Sequence, residues 1–400
     1  MEAGDMGRFV PLSIPNFEGN ERKYVDDAIE QGWVSTGGAY INKLEKSLAQ
    51  FLHADNVAAC QSGTAALHLA MVEAGVKPGD VVLVPPLTFI AAVNPVKYQF
   101  ATPVFIDCDD SLCMDATKLQ DFCQQECNFD GKQLMYKGNT VKAVVIVHVF
   151  GNMADMGKIM SIAHRYNLKV IEDATEALGS KYTNGPLAGK YAGTIGDFGC
   201  YSFNGNKIIT TGGGGAITAN DTKVVDHIRY LSTQAKDDVH YYIHNEVGYN
   251  YRMTNLQAAL GVAQLEELPE FIRRKQKNYK LYCQLFDGFE LGHMIGFRSD
   301  IDSNMWFYSL EINRDKVKAT MKEIITKLEK NRVQTRAIWG LINEQLPYIH
   351  EVTYKLEKAP YYAERILNIP SSTQITEEEI HYVAENIKKV LEESIGVDIE

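Results

Sequence analysis

Five short runs between residues 57 and 174 carry adjacent apolar residues rather than alternating ones: VAAC (57–60), VVLVPP (81–86), PVFIDC (103–108), AVVIVHVFG (143–151) and KVIEDA (169–174). Between them lie stretches with helical spacing, at 64–73, 116–126 and 154–166, and a shorter one from Phe89. A strand with one wet face alternates apolar and polar residues, and these runs do not. They must be covered on both faces, and parallel neighbours need a crossover, usually a helix, to return the chain. The alternation therefore predicts an α/β fold with a mostly parallel central sheet between helices.

The texture changes after residue 195. DFGCYSF (197–203) reads as a strand, followed by a loop, the glycine run Gly212 to Gly215, a strand GAITAN (215–220) and a helix over 221–232. A tyrosine-rich loop fills 240–253, and Asn255 then caps a helix running to about residue 286. Beyond it, a strand at 305–312 and helices at 317–331 and 377–391 predict a smaller α+β domain. Near the start, Tyr24, Val25, Ala28 and Ile29 recur at helical spacing and predict a helix over 20–31. Residues 128–140 read as an exposed insertion. At roughly 150 residues per domain, 400 residues hold two to three domains. The expected division is an N-terminal arm (1–20), a large domain (21–270) and a small C-terminal domain (271–400).

Charge narrows the function. Forty Lys and Arg against fifty-one Asp and Glu leave a net charge of −11. Such a chain lacks the basic footprint of a nucleic-acid binder and the polybasic stretch that holds a protein on an anionic membrane. No run of 18 apolar residues suggests a membrane span, and MEAGDMGRFVPL has no apolar core of signal-peptide length. Seven cysteines, an odd number in a chain too large to need staples, point to free thiols in a reducing cytoplasm. Cys108, Cys113, Cys123 and Cys127 do not have zinc-ligand spacing, and His240 and His244 lie in a loop pattern, so no metal site is expected. A phosphate ligand would have to be held locally, by helix starts and a few placed side chains.

Three segments supply such a place. Gln61-Ser62-Gly63-Thr64-Ala65 stands where a strand ends and a helix opens, so free amide groups and the Thr64 hydroxyl face an incoming anion. Val170-Ile171-Glu172-Asp173-Ala174 puts acids at the C-terminal end of an apolar strand, where ligands of open α/β sheets bind. Lys207 sits after Tyr201-Ser202-Phe203-Asn204-Gly205-Asn206 and before the glycine run. That run is not a dinucleotide fingerprint, because a strand rather than a helix follows it. Each segment alone is ordinary. Together they match what pyridoxal phosphate needs: Lys207 as the amine for a Schiff base, Asp173 facing the pyridinium nitrogen, and Gly63, Thr64 and Ser202 as a phosphate cup. Phe89, just past a strand end, can stack on the ring.

These segments, with GWVSTGGAYI (32–41), PPLTFIAAVNPV (85–96), HVFGNMADM (148–156), GYNYRMTNLQAALGVAQLE (248–266) and TRAIWGLI (335–342), follow one another in family order. The chain resembles the DegT/StrS-type nucleotide-sugar aminotransferases, a branch of the fold-type-I pyridoxal phosphate enzymes. The resemblance implies a three-layer α/β/α fold with a smaller C-terminal α+β domain. It also implies a homodimer with shared active sites, and amino transfer from L-glutamate, released as 2-oxoglutarate, to a nucleotide-linked 4-keto-6-deoxy sugar.

Carried over by position, Lys207 is the Schiff-base lysine and proton shuttle. Asp173 is the pyridinium partner, Gly63, Thr64 and Ser202 are phosphate ligands, and Phe89 is the stacking ring. Asn250 is implied as a phosphate ligand given by the other subunit. Trp33, Ser35 and Thr36 fall where relatives meet the sugar nucleotide, while Arg252 reads either as a contact to substrate phosphates or as a salt bridge. Glu176 departs from the His or Gln common beside the cofactor's phenolic oxygen. It reads as a contact to cofactor and substrate, or else as an outward-pointing acid. Relatives that carry His in place of the lysine are sugar dehydratases, so Lys207 favours transamination.

The nearest branch in character makes UDP-4-amino-4,6-dideoxy-N-acetylglucosamine for surface glycans, so the expected acceptor is UDP-4-keto-6-deoxy-N-acetylhexosamine, aminated at C4. A C3-specific aminotransferase, a dehydratase and a regulator that kept the fold are the alternatives.

Overall fold

Eight strands form the path of one sheet, in the order Val57–Cys60, Gly215–Ala219, Phe198–Ser202, Lys169–Asp173, Asn139–Val147, Val81–Val84, Thr102–Ile106 and Val352–Tyr354. The computed structural model describes residues 9–238 and 240–395. From Phe198–Ser202 onward every neighbour is parallel. Gly215–Ala219 runs antiparallel to both strands beside it. The strands at 57–60, 81–84 and 215–219 are buried at every residue, as double-covered strands must be. The result is the mixed α/β fold with a mostly parallel central sheet that the apolar runs predict.

Within this sheet the helix Gly63–Glu73 is apolar nearly all round and buried from Ala65 to Met71. Its start is fixed by Ser62, whose hydroxyl accepts from the Ala65 amide at 3.0 Å. The 128–140 segment is not a free insertion. Asn128–Phe129 and Leu134–Tyr136 pair with each other, and the second pairs with the start of Asn139–Val147. Leu134 and Tyr136 are buried, so the hairpin extends the sheet.

A second, four-stranded antiparallel sheet joins Gly292–Met294, Tyr308–Ile312, Ile366–Ile369 and Arg336–Ala337. With the helices Met321–Lys330 and Glu377–Glu392 it encloses its own core, including Tyr282, Leu310, Ile324 and Ile387. The helix Asn255–Phe286 serves both cores: Ala258, Ala259 and Val262 pack in the first, Tyr279, Tyr282 and Phe286 in the second. It passes position 270 without a break. The chain also returns, since Leu341, Ile342, Tyr348 and Tyr354 pack on the first core and Val352–Tyr354 is its edge strand. In the expected arm, Val10 joins the second core and Leu12 the first, while residues 1–8 lie outside the described residues.

One cap and two element boundaries differ from the sequence reading. Thr254, not Asn255, caps the long helix: its hydroxyl accepts from the Gln257 amide at 3.3 Å, and Gln257 Oε1 accepts from the Thr254 amide at 3.2 Å. Asn255 is buried and holds the 33–40 loop instead. Its side-chain amide donates to the Trp33 carbonyl (2.7 Å) and its oxygen accepts from the Tyr40 amide (3.0 Å). The strand expected at 305–312 is confined to Tyr308–Ile312, and Thr320 starts the following helix at Met321. Among the described residues, no helix is long and apolar enough to cross a membrane.

The centre of the sheet leaves no room for a methyl group at Gly199. A Cβ there would lie 1.8 Å from the Gly193 carbonyl oxygen, on backbone held at both ends. Gly199→Ala is expected to destabilise the protein by about 1–3 kcal/mol or more in urea unfolding. Gly296→Ala, where a Cβ meets nothing within 4 Å, is expected to stay within about 0.5 kcal/mol of wild type. Equal effects from the two would contradict this packing.

Candidate active site

Parallel strands deliver their C-terminal ends to the same side of the sheet. Here the ends of Val57–Cys60, Val81–Val84, Lys169–Asp173 and Phe198–Ser202 surround one cavity of about 220 Å³. Gly63, Thr64, Phe89, Asp173, Glu176, Ser202 and Lys207 all line it.

The first wall is the start of the helix Gly63–Glu73. The first-turn amides of a helix have no partner inside it, and the positive end of its dipole faces the same way. A Cβ on Gly63 would sit 2.8 Å from Ser202 Cβ and 3.1 Å from Thr175 Cγ2. Only glycine lets the helix start lie this close to Ser202. Thr64 and Ser202 add hydroxyls, and Gly213 and Gly214 close the floor behind them. Neutral donors of this kind suit a phosphate without a basic patch.

The opposite wall carries the acids. Side chains alternate along a strand, so Glu172 and Asp173 point to opposite faces. Glu172 is fully buried and structural. Its carboxylate accepts from the amides of Gly193 (2.9 Å), Ile195 (2.6 Å) and Gly196 (2.5 Å). It also accepts from His148 Nε2 (2.8 Å), the other ring nitrogen of which accepts from the Ala154 amide. Asp173 faces the cavity and accepts from the Thr175 amide at 3.1 Å. Burial pushes its carboxyl up, while Thr175, Lys207 and His148 pull it down. A buried carboxylate on a cavity wall is suited to a cationic ring nitrogen, which offsets the desolvation of both.

Glu176 also faces inward, which removes the outward-pointing alternative. One oxygen accepts from the Phe150 amide at 2.9 Å, and the other lies 3.7 Å from Lys207 Nζ. Burial pushes this carboxyl up to about 7, against the pull of Lys207 and the Phe150 amide, with Asp173 adding to the rise. Lys207 rises from a loop whose next carbonyl back, that of Asn206, accepts from Trp306 Nε1 at 2.8 Å. An amine, a buried acid, neutral anion donors and the half-exposed ring of Phe89 around one cavity fit pyridoxal phosphate.

Other residues singled out in the sequence are elsewhere. Trp33, Ser35 and Thr36 are on an exposed loop, Trp33 at 60% exposure. Asn250 is exposed and pairs with Thr233. Arg252 is not part of the cavity wall: its guanidinium is committed to Glu45 (2.6 Å) and the Ala59 carbonyl (3.2 Å), so the contact it makes is a salt bridge. Trp306 was not legible as a site residue, because MWFYSLEI reads as core strand.

Burial raises the Glu176 carboxyl from 4.5 to about 7, so the folded state holds this proton more tightly than the unfolded chain does. The stability it contributes is complete below about pH 4.5 and is lost as pH rises through about 7. Thermal unfolding of cofactor-free protein from about pH 5 to about 8 is therefore expected to show wild type losing stability relative to Glu176→Gln. Two curves that stay parallel would contradict the buried, inward carboxyl.

Comparison with known proteins identifies the family. Residues 15–388 match the DegT/DnrJ/EryC1/StrS aminotransferase family. A GDP-perosamine synthase from Caulobacter vibrioides is 36% identical over 96% of this chain and 98% of its own. A GDP-perosamine synthase from Escherichia coli is 34% identical over the same shares. The crystal structure of the aminotransferase TlmJ from Streptoalloteichus hindustanus has the same fold, with a TM-score of 0.86 at 23% identity, covering 96% of this chain and 99% of that one. The chain belongs to the DegT/DnrJ/EryC1/StrS aminotransferase family and is a pyridoxal-phosphate-dependent transaminase.

Proposed function

We propose that this enzyme transfers the amino group of L-glutamate to C4 of a nucleotide-linked 4-keto-6-deoxy sugar, with a GDP-linked sugar as preferred acceptor. The observation that carries the reading is the shared cavity, in which Lys207, Asp173 and Glu176 meet a helix start suited to phosphate. The two GDP-perosamine synthases, similar over nearly the whole chain, favour GDP over the UDP-N-acetylhexosamine that the sequence resemblance suggested.

In this reading the Gly63 and Thr64 amides and the Thr64 and Ser202 hydroxyls hold the cofactor phosphate. Asp173 keeps the ring nitrogen protonated, and Phe89 covers one ring face. Bound there, the cofactor supplies an electron sink for a carbon that loses a proton. Lys207 Nζ accepts the proton from the donor's carbon and returns it on the cofactor side, acting first as base and then as acid. Glu176, whose carboxyl changes charge near neutrality, orients that amine. Leu67, Ala91 and Ala92 help to keep water from the reacting atoms.

Asn250 lies outside this cavity, and Trp33 is widely exposed on its loop. The reading therefore assigns both to sites completed by a second copy of the chain. All seven cysteines are free thiols, which suits a cytoplasmic setting.

The test is incubation with L-glutamate and 4-keto-6-deoxy sugars on GDP, UDP and dTDP, with products identified by mass and NMR. The expected product is a GDP-linked 4-amino sugar. Lys207→Ala is expected to lower turnover by about 10²–10⁴-fold or more, and Asp173→Asn to keep cofactor but lose most activity. Amination at C3, preference for the UDP-linked N-acetyl sugar, or wild-type turnover in Lys207→Ala would overturn the corresponding part.

A further inference from the structure

Two close contacts are made by the amine of Lys207, one to an acid and one to an aromatic ring, with Asp173 acting on it from farther off. Its Nζ lies 3.7 Å from Glu176 Oε1, longer than a hydrogen bond, and 4.2 Å from the centre of the Trp306 ring. The lysine side chain is only 13% exposed. Trp306 is held from every side. Its indole N–H donates to the Asn206 carbonyl at 2.8 Å, one residue from the lysine. Its amide donates to the Phe150 carbonyl (3.1 Å) and to Asn304 Oδ1 (3.0 Å). Its carbonyl accepts from buried Lys275 Nζ (2.8 Å) and from Ser371 (3.3 Å), and its ring stacks on Phe307 at 4.0 Å and 11°. These contacts fix the ring with a face toward the lysine amine.

We infer that Trp306 and Glu176 together form the resting site of the Lys207 ammonium during the interval in which that amine carries the transferred proton. The inference rests on the reading of Lys207 as proton carrier. A C–H bond of the donor breaks, its proton joins the lone pair of Nζ, and its electron pair would be taken up by the electron sink that the bound cofactor supplies. The N–H bond then breaks and the proton is returned on the cofactor side, restoring the neutral amine. The donor is oxidised and the cofactor reduced, so no further reactant enters.

In the interval a full positive charge sits on a largely buried side chain, which is costly unless it is paired. The negative face of an indole attracts an ammonium, most strongly where water is excluded. Glu176, with one oxygen spent on the Phe150 amide, supplies the opposite charge but not a close contact. Ring and carboxylate thus divide the task, and Trp306 becomes a catalytic residue because it touches the reacting amine.

The ring contact can be read without turnover. Cofactor-free, full-length protein is reductively methylated with ¹³C-formaldehyde, which leaves the lysine amines charged. The Lys207 signal is assigned by its loss in Lys207→Met. In wild type it is expected upfield of the exposed lysines, displaced by the indole ring current. The displacement is expected to shrink in Trp306→Phe and vanish in Trp306→Leu. If Trp306→Leu does not fold, wild type and Trp306→Phe decide the matter.

In the loaded enzyme, the half-reaction with glutamate is expected to slow by about 2- to 30-fold in Trp306→Leu, with recovery in Trp306→Phe and little change in glutamate saturation. A wild-type Lys207 signal at the ordinary position, a displacement that survives loss of the indole, or an unchanged half-reaction would overturn the inference. Failure with every keto sugar, alongside a displaced signal and a slowed half-reaction, would instead count against the acceptor reading alone.

Discussion

Three ionisable side chains, Asp173, Glu176 and Lys207, are withdrawn from water around one small cavity, and the cost of doing so governs the rest of the site. Among the described residues, the ion pair they make is the loose one between Lys207 Nζ and Glu176 Oε1, at 3.7 Å. Asp173 and Glu176 are both pushed toward their neutral forms by burial; Thr175, Lys207 and His148 ease the first, while Lys207 and the Phe150 amide ease the second against the added push of Asp173. Such an arrangement is poor for stability and suited to a ligand that brings its own charges, a cationic ring nitrogen and an anionic phosphate.

The scaffold isolates this unstable group from a satisfied one. Glu172 is as buried as Asp173 beside it, yet three amides and His148 complete its bonds. Strand alternation sends one acid into a rigid nest and its neighbour into the cavity. The close approach of the helix start to Ser202, which Gly63 permits, and the clamp on Trp306 from Asn206, Phe150 and Lys275 fix the other walls. Trp306 belongs to the first core and lies just before Tyr308–Ile312, a strand of the second sheet.

Much of this was legible in the sequence. Double-buried strands leave continuous Val and Ile runs, and the parallel sheet follows from them. Motifs at strand ends follow from where parallel sheets place their ligands, and the structure gathers Gly63, Thr64, Phe89, Asp173, Glu176, Ser202 and Lys207 around one cavity. What stayed hidden depends on long-range partners. Trp306 looks like any aromatic entering a strand until Lys207, 99 residues away, is placed against its ring. Arg252 looks free until Glu45 meets it, and Asn255 looks like a cap until the 33–40 loop reaches its side chain. The edge strand Val352–Tyr354 joins the first sheet before the chain completes the second with Ile366–Ile369, an exchange no local pattern encodes.

The central claim is that Lys207 is the amine that meets pyridoxal phosphate in this cavity. It is tested most directly by loading the protein with the cofactor, reducing with borohydride and mapping the modified peptide by mass spectrometry. The account predicts one pyridoxyl group per chain, on Lys207. Modification of another lysine with Lys207 unlabelled, or no site-specific label at all, would contradict it.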